Sequence, residues 1–342
     1  MITQTIKIDM SNFEIGTERA AALLKEGRVV AIPTETVYGL AASAFSDSAV
    51  AEIYKIKGRP QDNPLIVHVS SLEMMRTAVK EITQQAHALA REFWPGPLTI
   101  ILPKSDKISK VVTCGLDNVA IRMPSHPVAL AIIEKSGLPL AAPSANLSGR
   151  PSPTCAAHVR DDLDGKIPLI IDGGMCEVGV ESTVITLCSE VPTILRPGII
   201  PLSAILKILP DAQLSHSVDS ELQEGEKAES PGMKYKHYSP RAEVVIVKGT
   251  LDRFAQYVKE RGCGDAYALC FDGEQERIMI PSVAYGPEEE PEQQARELFA
   301  SLRALDRFGA SVVYARCPDT REGGLAVYNR LLRAAGFKVV DL

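Results

Sequence analysis

No apolar run in this chain approaches the roughly 20 residues that a membrane-spanning helix needs, and Met1 to Met10 alternates apolar and polar residues instead of forming a signal-peptide core. Seven cysteines (Cys114, Cys155, Cys176, Cys188, Cys263, Cys270, Cys317) are scattered, with no C-x-x-C pair. That usage predicts free, mostly buried thiols in a reduced compartment, hence a cytosolic protein. The phosphate-binding signature G-x-x-x-x-G-K-[ST] is missing, since the only Gly-Lys step, Gly165-Lys166, is followed by Ile167. No G-x-S-x-G elbow and no H-E-x-x-H occurs. A basic excess is lacking too: residues 1–208 carry 20 Lys+Arg against 21 Asp+Glu, and residues 209–342 carry 17 against 22. Broad nucleic-acid binding is therefore disfavoured. Any nucleotide must be held by dispersed side chains and loop amides.

What is present points to one loop first. An apolar lead-in from Gly137 to Ala142 predicts a short buried strand running into Pro143. Ser144, Asn146, Ser148, Ser152 and Thr154 then alternate with glycine and prolines, which stop both strand and helix. Such a loop suits a polar ligand, although a proline-rich surface turn reads the same way in isolation.

With 342 residues, 45% of them apolar, the chain has room for roughly two domains. Helices are expected at Glu14 to Glu26, after Ser46 or Asp47, at Leu72 to Val79, Thr83 to Phe93 and Pro127 to Ser136. Strands are expected at Arg28 to Ile32, Pro64 to Val69, Leu98 to Leu102, Val119 to Met123, Leu138 to Ala142 and Pro168 to Asp172, with a pair at Val184 to Leu187 and Thr193 to Leu195. This pattern predicts a twisted, open, mixed α/β sheet over residues 1–209 with one site along its rim. Residues 210–241 read as a linker, acidic and aperiodic from Ser215 to Ser230 but ending in Lys234, Tyr235, Lys236, His237 and Tyr238. Residues 242–342 alternate strand and helix, a small Rossmann-like α/β domain without G-x-G-x-x-G.

Several charged residues sit where strands and helices end. Lys57 and Arg59 flank Gly58 at a helix exit, two fixed cations suited to a polyphosphate or to the helix dipole. His68 closes an apolar strand. Arg122 lies inside the apolar strand Val119 to Met123 and needs an anion, either a ligand carboxylate or an internal acid such as Glu35 or Asp117. Glu177 to Thr183 and Arg196-Pro-Gly198 read as further ligand loops or as ordinary turns. Glu177 and Glu181 give no sign of converging as an acid–base pair.

Pro33-Thr-Glu-Thr-Val-Tyr-Gly-Leu, Lys57-x-Arg59, Pro95-Gly-Pro-Leu-Thr99, Val119-Ala-Ile-Arg-Met-Pro124, Pro143-Ser-Ala-Asn146 and Glu181-Ser-Thr183 occur in that order. Together they resemble the YrdC-type threonylcarbamoyl-AMP synthase family in its two-domain long form. The resemblance implies condensation of L-threonine, bicarbonate and ATP, with Mg²⁺ accompanying the nucleotide, into L-threonylcarbamoyladenylate and pyrophosphate. The product would pass to the tRNA threonylcarbamoyl-transfer machinery, with a weak tRNA contact and no membrane association. Carried over by position, Lys57, Arg59, Ser144 and Asn146 match the family's K-x-R and S-x-N catalytic signature. Thr36, His68, Arg122, Ala142 and Ser182 match its threonine contacts. Arg59, Asn63, Asn118, Ser144, Ser152 and Arg196 match its ATP contacts, joined by Tyr238 on a linker expected to close over the site. Two other readings stand beside this one: a carbamoyl-adenylate-forming carbamoyltransferase, whose acylphosphatase-like and zinc-finger segments this chain lacks, and a non-catalytic RNA-binding module.

Overall fold

Short β-branched runs bounded by glycine and proline become strands here, and amphipathic stretches opened by Ser or Thr become helices. The computed structural model describes residues 2–218, 238–262 and 264–342. The chain opens with β1 (Gln4–Lys7), α1 (Phe13–Lys25), β2 (Val30–Ile32), β3 (Gly39–Ser43), α2 (Asp47–Lys57), β4 (Ile66–His68), α3 (Leu72–Ala78) and α4 (Gln84–Phe93). It continues through β5 (Leu98–Pro103), α5 (Lys110–Thr113), β6 (Asn118–Arg122), α6 (Pro127–Ser136), β7 (Leu140–Ala141), α7 (Ala156–Leu163) and β8 (Leu169–Asp172). After these come β9 (Thr183–Thr186), β10 (Thr193–Arg196), α8 (Leu202–Leu206) and β11 (Gln213–Leu214).

These eleven strands form one mixed sheet in the order β1-β8-β2-β3-β7-β4-β6-β5-β9-β10-β11. Register places His68 beside Arg122, Arg122 beside Thr99, and Thr99 beside Val184. A polar row therefore crosses one face of the sheet, while the alternate residues Val67, Ile121, Ile100 and Ile185 face the helix-covered core. β3 and β7 run antiparallel to their neighbours. They bring Gly39 and Ala142 toward the opposite strand ends from His68 and Arg122, so the cleft crosses the sheet face instead of following one rim. The elements expected in this part of the chain form, and the sequence reading missed β3, α5, α7, α8 and β11 here, and the strands at Ser282–Ala284 and Val339–Asp341 further on. Strand β3, Gly-Leu-Ala-Ala-Ser, has little intrinsic strand preference; complete burial of all five residues imposes it.

Residues 210–218 stay with this first sheet, Ser215 N donating to the Ile194 carbonyl oxygen (2.9 Å). The remainder of the expected linker, 219–237 and so His237, lies outside the described residues. A second, all-parallel sheet follows, built from β12 (Glu243–Lys248), α9 (Leu251–Arg261), β13 (Ala266–Cys270), β14 (Ser282–Ala284), α10 (Pro291–Arg307), β15 (Val312–Arg316), α11 (Gly324–Ala335) and β16 (Val339–Asp341). Its order β14-β13-β15-β12-β16 differs from the Rossmann order by the insertion of β15 between β13 and β12.

The two layers share a core. Val37 and Val180, from ligand-side loops of the first sheet, pack in one cluster with Tyr238, Ala295, Leu298 and Phe299. Burying each of the valine, leucine and phenylalanine side chains contributes about 1.5–3 kcal/mol. Gly179 has φ +82°, and a Cβ there would lie 2.3 Å from Arg296 Cα, so the 177–182 loop is pressed onto α10.

Candidate active site

The cleft is built from the ends of short elements. Ser46 caps α2 by accepting from Ala49 N (3.3 Å), and Gly58 ends it in the left-handed conformation. That exit leaves Lys57 pointing inward, where its ammonium donates to the carbonyl oxygens of Ser144 and Asn146. The Lys57 carbonyl in turn accepts from Ser148 N (2.8 Å), and Asn146 Nδ2 donates to the Leu147 and Arg150 carbonyls (2.8 and 2.9 Å). Lys57 and Asn146 thus shape the loop that carries Ser144 and Ser148. Burial, then the charge of Arg59, push the Lys57 ammonium well below its ordinary pKa. Arg59 is anchored by the Asn63 and Pro64 carbonyls (3.1 and 3.3 Å from Nη2).

At the other end Arg122, 3% exposed, donates to Thr36 Oγ1 (2.8 Å) and the Gly96 carbonyl (3.3 Å), and pairs with Glu35 (2.6 Å). Glu35, and not Asp117, is the internal partner the buried arginine required. Burial alone would raise the Glu35 carboxyl, but the charge and hydrogen bond of Arg122 draw it below its ordinary value. His68 is held neutral, its pKa pushed down to about 3 by burial and then by Arg122. Its Nδ1 is buried without a protein partner among the described residues. Arg196 donates to Ser182 O and Oγ (both 3.1 Å), and Ser182 Oγ also meets Thr99 Oγ1 (2.8 Å).

These loops line a cleft of about 720 Å³, counted out into its open mouth. Lys57, Arg59, Ser144, Asn146, Thr36, His68, Arg122, Ala142, Ser182, Arg196 and Tyr238 all line it. Thr34, Gly39, Ser148, Gly149, Arg150 and Glu181 line it as well, with Ser148 and Glu181 on loops the sequence had marked for a ligand. Five cations face one carboxylate, Glu181, among these lining residues.

Three expected ATP contacts lie off the cleft wall. Asn63 is buried and presents its carbonyl to Arg59 and to Tyr54 Oη (3.1 Å). Asn118 begins β6 opposite Pro103, four residues and roughly 13 Å along the strand from Arg122. Ser152 is fully buried and donates to Glu181 Oε1 (2.5 Å). The sequence reading also missed Arg330, which pairs with Glu181 Oε2 (2.7 Å), and Arg303, which pairs with Asp162 (2.7 Å). Each lies on an apolar helix stripe, Arg330 four residues from Ala326 and Ala334, Arg303 four from Phe299. An arginine in such a stripe demands a buried acid, and that was the available signal.

A row of hydroxyls and a group of fixed cations, gathered across an α/β sheet, suit an enzyme that handles anionic substrates by positioning and charge. Residues 22–198 match the family described as telomere recombination, of the Sua5, YciO and YrdC type, and residues 200–336 match the threonylcarbamoyl-AMP synthase C-terminal domain. The chain belongs to the threonylcarbamoyl-AMP synthase family. It is 46% identical over 330 residues to the threonylcarbamoyl-AMP synthase of Pyrococcus abyssi, covering 94% of this chain and 95% of that one. It is 45% identical over 328 residues to the synthase of Bacillus subtilis, covering 94% and 93%. The crystal structure of P. abyssi Sua5 complexed with L-threonine superimposes with a TM-score of 0.90 and 42% identity over 100% of both chains.

Proposed function

We infer that the chain makes L-threonylcarbamoyladenylate and pyrophosphate from L-threonine, bicarbonate and ATP, the step that supplies threonylcarbamoyladenosine beside the tRNA anticodon. The observation that carries this reading is the meeting of Lys57, Arg59, Arg122, Ser144, Ser182 and Arg196 on one cleft. The family's end-to-end match supports it.

The chemistry needs no protein nucleophile. The threonine amine adds to bicarbonate with loss of water, giving a carbamate. A carbamate oxygen then attacks the α-phosphorus of ATP in line, and pyrophosphate leaves. The carbamate decomposes readily in water, which a narrow, water-poor cleft opposes. We assign Arg122, backed by Glu35, to the threonine carboxylate, with neutral His68, Thr36, Ala142 and Ser182 around the amino acid. Arg59 and Arg196 offset phosphate charge, while Lys57 holds the Ser144–Asn146 backbone in place for bicarbonate and the α-phosphate. Glu35 and Glu181 are each engaged by an arginine. No cluster of three or more acidic, histidine or cysteine side chains fit for a metal occurs among the described residues. We take Mg²⁺ to arrive with ATP, bound on phosphate oxygens and water. Tyr238 supplies one wall of the ATP side. The adenylate passes to a separate tRNA-modifying enzyme; any tRNA contact is weak, given the acidic balance. We place the reaction in the cytoplasm, where ATP and tRNA occur; none of the described helices is long and apolar enough to cross a membrane.

Mass spectrometry of the purified chain with threonine, labelled bicarbonate and MgATP should show labelled threonylcarbamoyladenylate and pyrophosphate, with nothing formed when any one is omitted. Product from carbamoyl phosphate in place of threonine and bicarbonate would move the assignment to a carbamoyltransferase. Tight, steeply salt-dependent RNA binding without adenylate would move it to an RNA-binding module.

A further inference from the structure

Glu181 is a problem for a cleft that takes a triphosphate. It is 7% exposed, lines the cleft, and sits beside Ser182 and close to Arg196. An unpaired carboxylate there would repel both nucleotide and bicarbonate. The second domain answers it. Arg330, 0% exposed on α11, gives its Nε to Glu181 Oε2 (2.7 Å) and its Nη2 to the Glu181 carbonyl (3.0 Å). Its Nη1 reaches the Pro197 carbonyl (2.8 Å) and Asn329 Oδ1 (2.9 Å), and the guanidinium lies 5.8 Å from the Tyr238 ring centroid. Arg196 makes the matching ties from the cleft side, to Ser182 O and Oγ. Two arginines from two domains thus clamp the same pair of turns, 181–182 and 196–198. Their backbones are already in contact: a Cβ on Gly198 would stand 2.2 Å from Thr183 N.

We propose that Arg330 is a positioning residue for the reaction, cancelling the charge of Glu181 and fixing the turns that present Ser182 and Arg196, so that the second domain completes the ATP side of the cleft. The proposal rests on the ATP-binding reading above. It gives the second domain a task it performs without a ligand of its own.

The test uses the full chain and compares R330A, R330K and the double variant R330A/E181Q, each checked for a cooperative thermal transition. Affinity for a non-hydrolysable ATP analogue is measured by calorimetry, alongside adenylate formation. R330A should bind the analogue roughly tenfold or more weakly, because it leaves a buried carboxylate facing the phosphates. R330A/E181Q should recover about threefold or more of that loss, since no unpaired charge remains. A merely structural arginine would give no such rescue. R330K keeps the charge, and with it the fold, but not the three-way tie, and should fall between. Analogue affinity within twofold of the unaltered chain in R330A overturns the proposal, as does an R330K no better than R330A. So does a double variant no better than R330A. If the unaltered chain binds the analogue but forms no adenylate, the function reading fails, and this inference is judged on affinity alone.

Discussion

Arg122 and Arg316 occupy equivalent places in two different sheets. Each ends a central strand, and they are 3% and 4% exposed. Arg122 shares its surroundings with Lys57, Arg59 and Arg196 on an open cleft, and its one acid is Glu35. Arg316 meets two acids, Glu274 through Nε (3.0 Å) and Glu288 through Nη2 (3.1 Å), and gives Nη1 to the Gly249 carbonyl (2.6 Å). The rings of Phe254 and Phe271 enclose it, at 5.8 and 5.1 Å. A buried arginine at a strand end is therefore no mark of a site. Among the described residues, surplus positive charge beside open space is what separates the surroundings of Arg122 from those of Arg316.

The largest effect expected from this contrast is on stability. Arg316→Ala leaves Glu274 buried without its cation, which costs about 3–5 kcal/mol. Adenylate formation per folded molecule should not change. Urea denaturation and an assay corrected for the folded fraction check both halves. A fall of more than a few-fold in corrected activity would erase the distinction. Arg59→Ala is the converse case: Arg59 is anchored by the Asn63 and Pro64 carbonyls and faces the cleft. Loss of that phosphate-side charge should reduce adenylate formation roughly 100- to 1000-fold, with the denaturation midpoint little altered. Unchanged turnover would remove Arg59 from the mechanism.

Much of this contrast was legible beforehand, for a physical reason. Lys57, Arg59 and Arg122 stand out because glycine, proline or an apolar strand surrounds them, so local chemistry alone marks them. Arg122 even announced its need for an acid. Glu181 did not stand out, because its meaning comes from Arg330, 149 positions away on helix α11 of the second domain. Asn63 and Ser152 were read as ligand contacts; in the structure the Asn63 carbonyl accepts from Arg59 and the Ser152 hydroxyl donates to Glu181. Spacing along the chain identifies which loop a residue belongs to, and cannot say whether its side chain faces the cavity or braces the loop from behind. β3 escaped notice likewise, since its small residues become a strand only through burial between β2 and β7.

Acid separates the same two regions. Residues 238–342 contain no histidine, whereas the first sheet buries His68 and His158, with pKa values pushed down to about 3 and about 4, chiefly by burial. Each stays neutral when folded but binds a proton near pH 6.5 once unfolded, so stability falls as pH drops from 6.5 toward those folded values. At pH 5.5 the two together should remove about 3 kcal/mol from the first sheet. The second sheet should lose little until its carboxylates protonate. Glu35, Asp162 and Glu181, all held low by arginines against the cost of burial, add a further loss only below the ordinary carboxylate range, as pH falls through their folded values. Fluorescence of Trp94, the single tryptophan, reports on the first sheet, and hydrogen exchange resolves both. Equal loss in the two sheets between pH 6.5 and 5.5 would assign the effect elsewhere.

The smallest effect tests how finely working and bracing residues can be told apart. Ser152 matched an ATP contact by sequence, yet its hydroxyl is buried against Glu181 Oε1. If it touched nucleotide, Ser152→Ala would weaken ATP binding and leave stability alone. As a brace it should lower both together, by about 1–2 kcal/mol, because a buried carboxylate oxygen loses a donor. The two cases diverge further in a double-mutant cycle with Glu181→Ala. A brace acts only through Glu181, so the Ser152→Ala penalty on ATP affinity should nearly vanish once Glu181 is gone, a coupling of about 1 kcal/mol. Additive penalties would return Ser152 to the nucleotide and make the cleft wall wider than the side chains now facing it.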